Sequence, residues 1–367
     1  VLRPRLALSL AVAALTACAH HHSSEIPATS SSASPGPTSA PGTLTQSLWV
    51  ANGTSVLEFT PSQIAAGGNQ RPLLVNANTL FGDVGGVAFD AAGDLWVVDG
   101  GTLVNGGAAR PAVYEFSPAQ LGSLNSNQSP IPTRTIEFSG FNFPQLATFD
   151  AGGDLWVSDA GSNAVYEFTP SQLTAGGFNV TPNVEIAGNP PFSGALGIAF
   201  SSAGNLWVAN GSGTTIEGFD ADTLPTAYGS EVTLQAQVTL QNNGQTIAAP
   251  FALAFDKSGN LWATNTDSAD GVVKFPASTL GASGSPSALV ISSGSVNGNA
   301  TLETPTGLAF NSGGDLAVAS AGEPFGIAVY AAAQLGAGGS YAPHYFIVGP
   351  NTTLATPGGV AFGPVIN

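Results

Sequence analysis

Six polar side chains recur along this chain, each behind the same kind of apolar run: Asn52, Asp99, Asp159, Asn210, Asn265 and Ser320. Amide and carboxylate oxygens are the donors that hard cations prefer. Asp99, Asp159, Asn52, Asn210 and Asn265, if brought together, are therefore a candidate site for Ca²⁺ or another divalent cation. The same residues have a second account that needs no ligand. Asp or Asn before Gly suits the exit from a strand, because the side-chain oxygen bonds the local backbone and Gly accepts positive φ. On that account Asn in place of Asp99 or Asp159 keeps the required oxygen, and the exchange is expected to be nearly silent.

Other chemistry is sparse. Glu58, Glu115 and Glu167 share one position in successive strand-like runs, but the later runs carry Gly218, Lys274 and Val329 there, which argues against a paired acid and base. No Gly-x-Ser-x-Gly elbow precedes a helix, and the Gly-rich stretch 100–107 lacks the Lys-Ser/Thr of a phosphate loop. Downstream of the amino-terminal region the one histidine is His344, expected on an outermost strand and more suited to a surface than to catalysis. His20, His21 and His22 are a second metal-binding possibility, but a run in an unstructured segment supplies no geometry.

The recurring polar residues belong to a longer cassette. Residues 86–99 read Gly-Val-Ala-Phe-Asp-Ala-Ala-Gly-Asp-Leu-Trp-Val-Val-Asp, and residues 146–159 read Leu-Ala-Thr-Phe-Asp-Ala-Gly-Gly-Asp-Leu-Trp-Val-Ser-Asp. Further copies start at Gly197, Ala252 and Gly307, while two partial copies lie at 48–52 and 359–362. A period of about 55 residues marks one supersecondary unit that buries its apolar face only when a neighbour stacks on it.

Each unit contains four short runs with strand chemistry. In the second unit they are 86–89, 95–98, 113–116 and 133–138, with a Gly/Asp turn between the first two. Thr60-Pro61-Ser62-Gln63 and Thr169-Pro170-Ser171-Gln172 come after third runs and predict short helical turns, with Thr as cap and Pro just inside. Six four-stranded antiparallel units avoid exposed sheet edges when set radially, so the expected fold is all-β, a six-bladed β-propeller. The innermost strand alternates a small residue (Ala88, Thr148, Ala199, Ala254, Ala309, Ala361) with a large one (Phe89, Phe149, Phe200, Phe255, Phe310, Phe362), as crowding near an axis requires. The split copy predicts that the carboxyl-terminal strand completes the first blade.

The motif Gly-Ile-Ala-Phe followed by Gly-Asn-Leu-Trp-Val-Ala-Asn over 197–210, with Asp-Ala-Gly-Ser-Asn-Ala-Val-Tyr over 159–166, resembles the repeat of the NHL propellers. That resemblance spans 48–362 and implies the fold, while the same blade carries lyases, lactonases and binding modules. The gluconolactonase-type relatives of the fold hold a divalent metal with acids and amides just before the inner strands. Here those positions are Gly85, Gln145, Leu196, Phe251, Thr306 and Gly358, which speaks against a metal-dependent lactonase. Gln145, Phe251 and Thr306 are instead candidates for a ligand-binding rim, joined by Phe141 and Phe143 of the apolar loop Phe141-Asn142-Phe143-Pro144.

Composition bounds the partners and the address. Of the 367 residues 43% are hydrophobic and 8% charged, and 23 acids against 7 bases give a net charge of −16, which excludes nucleic acid as an expected partner. Arg3 and Arg5 precede an apolar run over 6–15, the layout of a secretory signal. The run ends in Leu15-Thr16-Ala17-Cys18, which resembles the bacterial lipobox, so Cys18 is the expected lipidation site. The organisation read from these signals is a signal peptide at 1–17, a Ser/Pro/Ala/Thr-rich tether at 18–45 and a propeller at 46–367. The expected protein is a lipid-anchored, extracytoplasmic propeller of the bacterial cell envelope. It would bind a protein, peptide or glycan on one rim and need no cofactor, with a metal-dependent hydrolase or lyase at the channel mouth as the alternative.

Overall fold

The computed structural model describes residues 44–365, apart from 77–79, 102, 105–106, 109, 124–129, 227–229, 242–246 and 267–270. Within them the chain forms an all-β, six-bladed propeller whose blades carry four antiparallel strands from the axis outward. Blade 2 shows the pattern with Val84–Phe89, Leu95–Asp99, Ala112–Phe116 and Arg134–Glu137. Blade 1 is closed as the split copy predicts: Pro357–Gly363 lies inside Ser47–Asn52, with Trp49 opposite Ala361 and Val50 opposite Val360.

The cassette residues make the seams. Each Trp of a second strand meets the inner-strand Phe of the next blade edge to face, as in Trp49–Phe89 at 5.7 Å, Trp96–Phe149 at 6.0 Å and Trp156–Phe200 at 5.4 Å. At the seam between the sixth blade and the first, Ala317 stands in the Trp position and shares a core cluster with Phe362. The acid that ends the inner strand anchors the same Trp: Asp90, Asp150 and Asp256 accept from the indole N–H of Trp96, Trp156 and Trp262 at 3.1, 3.0 and 2.9 Å. Its other oxygen closes the hairpin, Asp90 Oδ1 accepting from the N–H groups of Ala92 and Asp94, both at 2.9 Å.

Inner strands touch one another at the axis, and this explains the glycine that opens most cassettes. A β-carbon on Gly86 would lie 2.7 Å from the Gln145 carbonyl oxygen of the next blade, and Gly197 and Gly307 face the Phe251 and Gly358 carbonyls even more closely.

The expected helical turns are present as Pro61–Ala66, Pro118–Gly122 and Pro170–Ala175, each with a Thr or Ser cap and a reciprocal Gln. Past these turns the blades are latched together in a way the repeat does not announce. The connection between third and outer strands reaches back to the outer strand of the preceding blade and pairs with it in parallel: Gly68 with Ile347, Gly177 with Ile136 and Gly284 with Leu240. Blades 4 and 6 extend the device to whole segments. Ser230–Gln235 joins Val184–Asn189 of blade 3, and Gly339–Ser340 joins Leu289–Ser292 of blade 5.

Candidate functional site

Asp99, Asp159, Asn52, Asn210, Asn265 and Ser320 end the second strands, all but fully buried, and form one ring on the rim where inner strands begin. Antiparallel pairing puts each beside the first residue of its inner strand or the loop before it, as with Val84 opposite Asp99 and Pro144 opposite Asp159. That loop arrives from the preceding blade with unpaired N–H groups, and the acids and amides of the ring satisfy them, while Ser320 Oγ donates to the Thr301 carbonyl at 3.3 Å. Asp99 accepts from Gly82 at 2.8 Å through Oδ2, and from Asp83 at 2.7 Å and Gly101 at 3.0 Å through Oδ1. Asp159 accepts from Asn142 at 2.8 Å through Oδ2, while Oδ1 takes Phe143, Gly161 and Ser162, each at 2.9 Å. Burial pushes both carboxyls above the ordinary Asp range, and the N–H donors pull them back.

The amides do the same work with one oxygen. Asn52 Oδ1 accepts from Ala355 and Thr356 at 2.8 and 3.2 Å, and its Nδ2 donates to the Thr353 carbonyl at 3.1 Å. Asn265 Oδ1 accepts from Ala248 at 3.2 Å. Asn210 Oδ1 accepts from Ser193 at 3.2 Å, and its Nδ2 donates to Thr215 Oγ1 and Glu217 Oε1 at 2.8 and 2.9 Å. The ring thus points its oxygens into its own blades. Among the described residues no group of three His, Cys, Asp or Glu side chains is placed to hold a metal ion.

The channel mouth is apolar. Inner strands bulge just after their first residues, and where blades 1, 2, 4 and 6 have Gly359, Gly86, Gly197 and Gly307 the third blade has Leu146. Its Cδ2 lies 2.9 and 2.7 Å from where β-carbons of Gly86 and Gly359 would stand, so it reaches over blades 2 and 1. Leu146 and Leu196, both half-exposed, also pack on the cluster holding Phe251 and Ala252, which lines the mouth with hydrocarbon. Ser158 and Thr264 serve the bulged backbone, Thr264 Oγ1 accepting from Ala252 at 2.9 Å. Ser158 Oγ accepts from the Leu146 N–H at 3.2 Å and also donates to the Leu196 carbonyl.

The proposed rim residues separate. Phe141 turns inward, 7% exposed, with its ring 5.6–5.8 Å from Phe138, Tyr166 and Phe168 in the seam of blades 2 and 3. Phe251 and Thr306 are buried too, Thr306 Oγ1 donating to the Pro357 carbonyl at 2.6 Å. Gln145 is buried and donates to the Pro144 carbonyl at 3.2 Å. Phe143 is half-exposed and lies over Gly100 of the enlarged blade 2 loop. Cys18 and the His20–His22 run lie outside the described residues.

Glu58, Glu115 and Glu167 do share a register position, each opposite a Trp, near the turn end of its blade. Their surroundings differ. Glu115 is paired with Arg134 at 2.5 and 2.6 Å, whereas Glu167 receives one hydrogen bond from Asn183 at 3.1 Å. Desolvation, with Asp154 and Asp150 nearby, pushes the Glu167 carboxyl up to about 7. Lys274 takes the equivalent place in blade 5, 5.1 Å above the Trp262 ring.

An open concavity of about 670 Å³ lies on the rim of blade 6, between its own loops and the connections entering and leaving it, with Asn299, Glu323, Phe325, Val348, Pro350 and Leu354 among its walls. Nothing in the repeat pattern announces it, because its walls come from loops that differ between blades.

No family profile matches the sequence, and no curated protein resembles it closely enough to mark a relative. Solved structures share the fold. In a nidogen/laminin complex a chain of 14% identity superposes with a TM-score of 0.56, over 87% of this chain and 98% of that one. The periplasmic gluconolactonase PpgL of Pseudomonas aeruginosa is similar at 17% identity and a TM-score of 0.52, over 88% and 99%. A protein of unknown function from Bacteroides caccae gives 10% identity and a TM-score of 0.55, over 87% and 99%. At these identities the likeness defines the class, a six-bladed β-propeller, and leaves the activity to the site.

Proposed function

We propose that this chain is an NHL-like, lipid-anchored propeller of the bacterial cell envelope that recognises a protein, peptide or glycan through its rim loops. One observation carries the reading. The recurring acids and amides around the mouth are engaged with the backbone of their own blades, and Leu146 reaches over the inner strands of blades 1 and 2, so the rim offers shape and surface in place of an array of open catalytic groups. The chain resembling it in a nidogen/laminin complex is consistent with a propeller in protein recognition. Binding of the full chain to peptide and glycan arrays, unchanged by chelator, is the expected result; ligand capture that requires a divalent ion, or none at all, would overturn it.

The second reading, a metal-dependent hydrolase or lyase, draws on the full-length likeness to a periplasmic gluconolactonase. It requires a divalent ion retained stoichiometrically after exhaustive dialysis, together with hydrolysis of a sugar lactone. The anchor has its own test. Cys18→Ser should abolish detergent partitioning and leave an unlipidated precursor, since the acceptor chemistry needs a thiol; equal partitioning of wild type and variant would remove the anchor from the reading.

A further inference from the structure

The rim concavity is open to solvent and lined by both apolar and polar side chains. Its volume of about 670 Å³ suits a small molecule or one or two peptide side chains. Pro324, Phe325, Val348, Pro350 and Leu354 give it apolar walls, and Asn299 and Glu323 are the polar side chains along it. Phe325 and Val348 are half-exposed, so an occupant removes ring and methyl surface from water. Glu323 is exposed and forms no ion pair among the described residues.

The walls are held before any ligand arrives. Thr352 Oγ1 donates to the Gly349 carbonyl at 2.6 Å, and Asn69 Oδ1 accepts from the Asn351 N–H at 2.6 Å. Asn52 of the polar ring ties down Thr353, Ala355 and Thr356 in the same segment. On the facing side the N–H groups of Ala321 and Gly322 donate to the Thr304 and Glu303 carbonyls at 3.0 and 2.8 Å. A cavity built this way loses little conformational entropy on filling.

We infer that this cavity binds an organic cation with an apolar body, the chemistry shared by a basic peptide side chain and a free aromatic amine. Glu323 supplies the counter-charge, and Phe325, two residues on in the same wall, is an aromatic neighbour of the kind to which ammonium and guanidinium groups are drawn. The net charge of −16 reinforces the choice, since it attracts cations to the molecule and repels anions. This rests on the rim-binding reading and names the ligand chemistry of one pocket within it.

The test titrates phenethylammonium, neutral phenethyl alcohol and anionic phenylpropionate into the full chain, with affinities read by calorimetry and contacts by NMR. The cation should bind at least about tenfold more tightly than the anion, and less tightly as salt rises. Glu323→Gln should bring the cation down to the level of the alcohol without changing the melting temperature, and Phe325→Ala should weaken both. Equal affinity for all three probes, no binding of the cation, or a cation affinity indifferent to Glu323→Gln would overturn the site. Array ligands held equally by the wild type and by both variants would overturn this pocket and leave rim recognition standing. Cation binding without any array ligand would do the reverse.

Discussion

Asp99 shows why a residue type can be legible while its consequence is not. The recurrence of Asp or Asn at strand ends marks these positions as turn residues, and the structure places them in that role. The expectation that Asn can replace Asp there assumes a single working oxygen. Both Asp99 oxygens accept backbone N–H groups, so an amide would turn its own N–H toward a donor. Asp99→Asn should therefore cost about 1–3 kcal/mol, read as a lower urea midpoint with unchanged slope. Asn52 does not contradict this, because its Nδ2 has the Thr353 carbonyl to donate to. At the other end of the blade, Glu167 sets a pH dependence. Its folded pKa is about 7 against an ordinary 4.5, so between those values the native state holds a proton that the unfolded chain releases. Stability should fall as pH rises through that window and stay reduced above it. Glu167→Gln should flatten the profile and exceed wild type at pH 8 by about 1–2 kcal/mol, less than the bare shift implies at about 1.4 kcal/mol per unit. A wild-type profile flat from pH 5 to 8 would show that burial of this carboxyl is relieved by water.

Elements are legible where they repeat and obscure where they belong to one blade. The Trp and Phe positions, the hairpin acids and the Thr-Pro-Ser-Gln turns each recur, so pattern exposes them and packing explains them. The parallel latches recur as well, and they have a signal in the chain: paired glycines at Gly67-Gly68, Gly176-Gly177 and Gly338-Gly339 come after the helical turns. Gly67, Gly68, Gly176, Gly177 and Gly339 take positive φ, which returns the chain to the neighbouring blade. The pairing partner is distant in sequence and supplied by another unit, which local propensity does not encode. Leu146 is obscure for the opposite reason, since a leucine in a glycine column looks like variation until the axis is built. The strand Ser230–Gln235 carries an element-scale prediction. Its register sets Glu231 directly opposite Glu185, a like-charge pair on the outer edge of blade 3 that adds to the burial raising the Glu185 pKa. Such pairs are destabilising by a few tenths to about 1 kcal/mol. Glu231→Lys should turn the cost into a gain of similar size at low salt that fades by about 0.5 M salt; a variant less stable than wild type at low salt would mean that this edge is not paired as described.

At the scale of the whole molecule, one strand decides whether six blades make a ring. Five seams carry a Trp against the next blade's Phe, while the closing seam between blades 6 and 1 has Ala317 against Phe362. That seam depends on Pro357–Gly363, which hydrogen-bonds to Ser47–Asn52 and sits between the inner strands of blades 6 and 2. The segment leading into it is fastened by Asn52, Thr352 and Asn69, so closure, rim shape and the cation pocket share one set of bonds. Removing residues 357–367 strips blade 1 of its inner strand and exposes the edges of its neighbours, with the burial of Val360 worth about 1.5–3 kcal/mol and that of half-buried Phe362 adding to it. For a chain of this size 1 kcal/mol corresponds to about 1–2 °C, so the truncated protein should melt at least about 5 °C below the full chain. It should also bind phenethylammonium more weakly at temperatures where it remains folded, because the 349–354 wall loses its chain connection to the inner strand and keeps only the Asn52 and Asn69 bonds to blade 1. A truncated chain melting within about 3 °C of the original, with its cation site intact, would place the closing force in the outer latches, where Gly68 of blade 1 already pairs with Ile347 of blade 6.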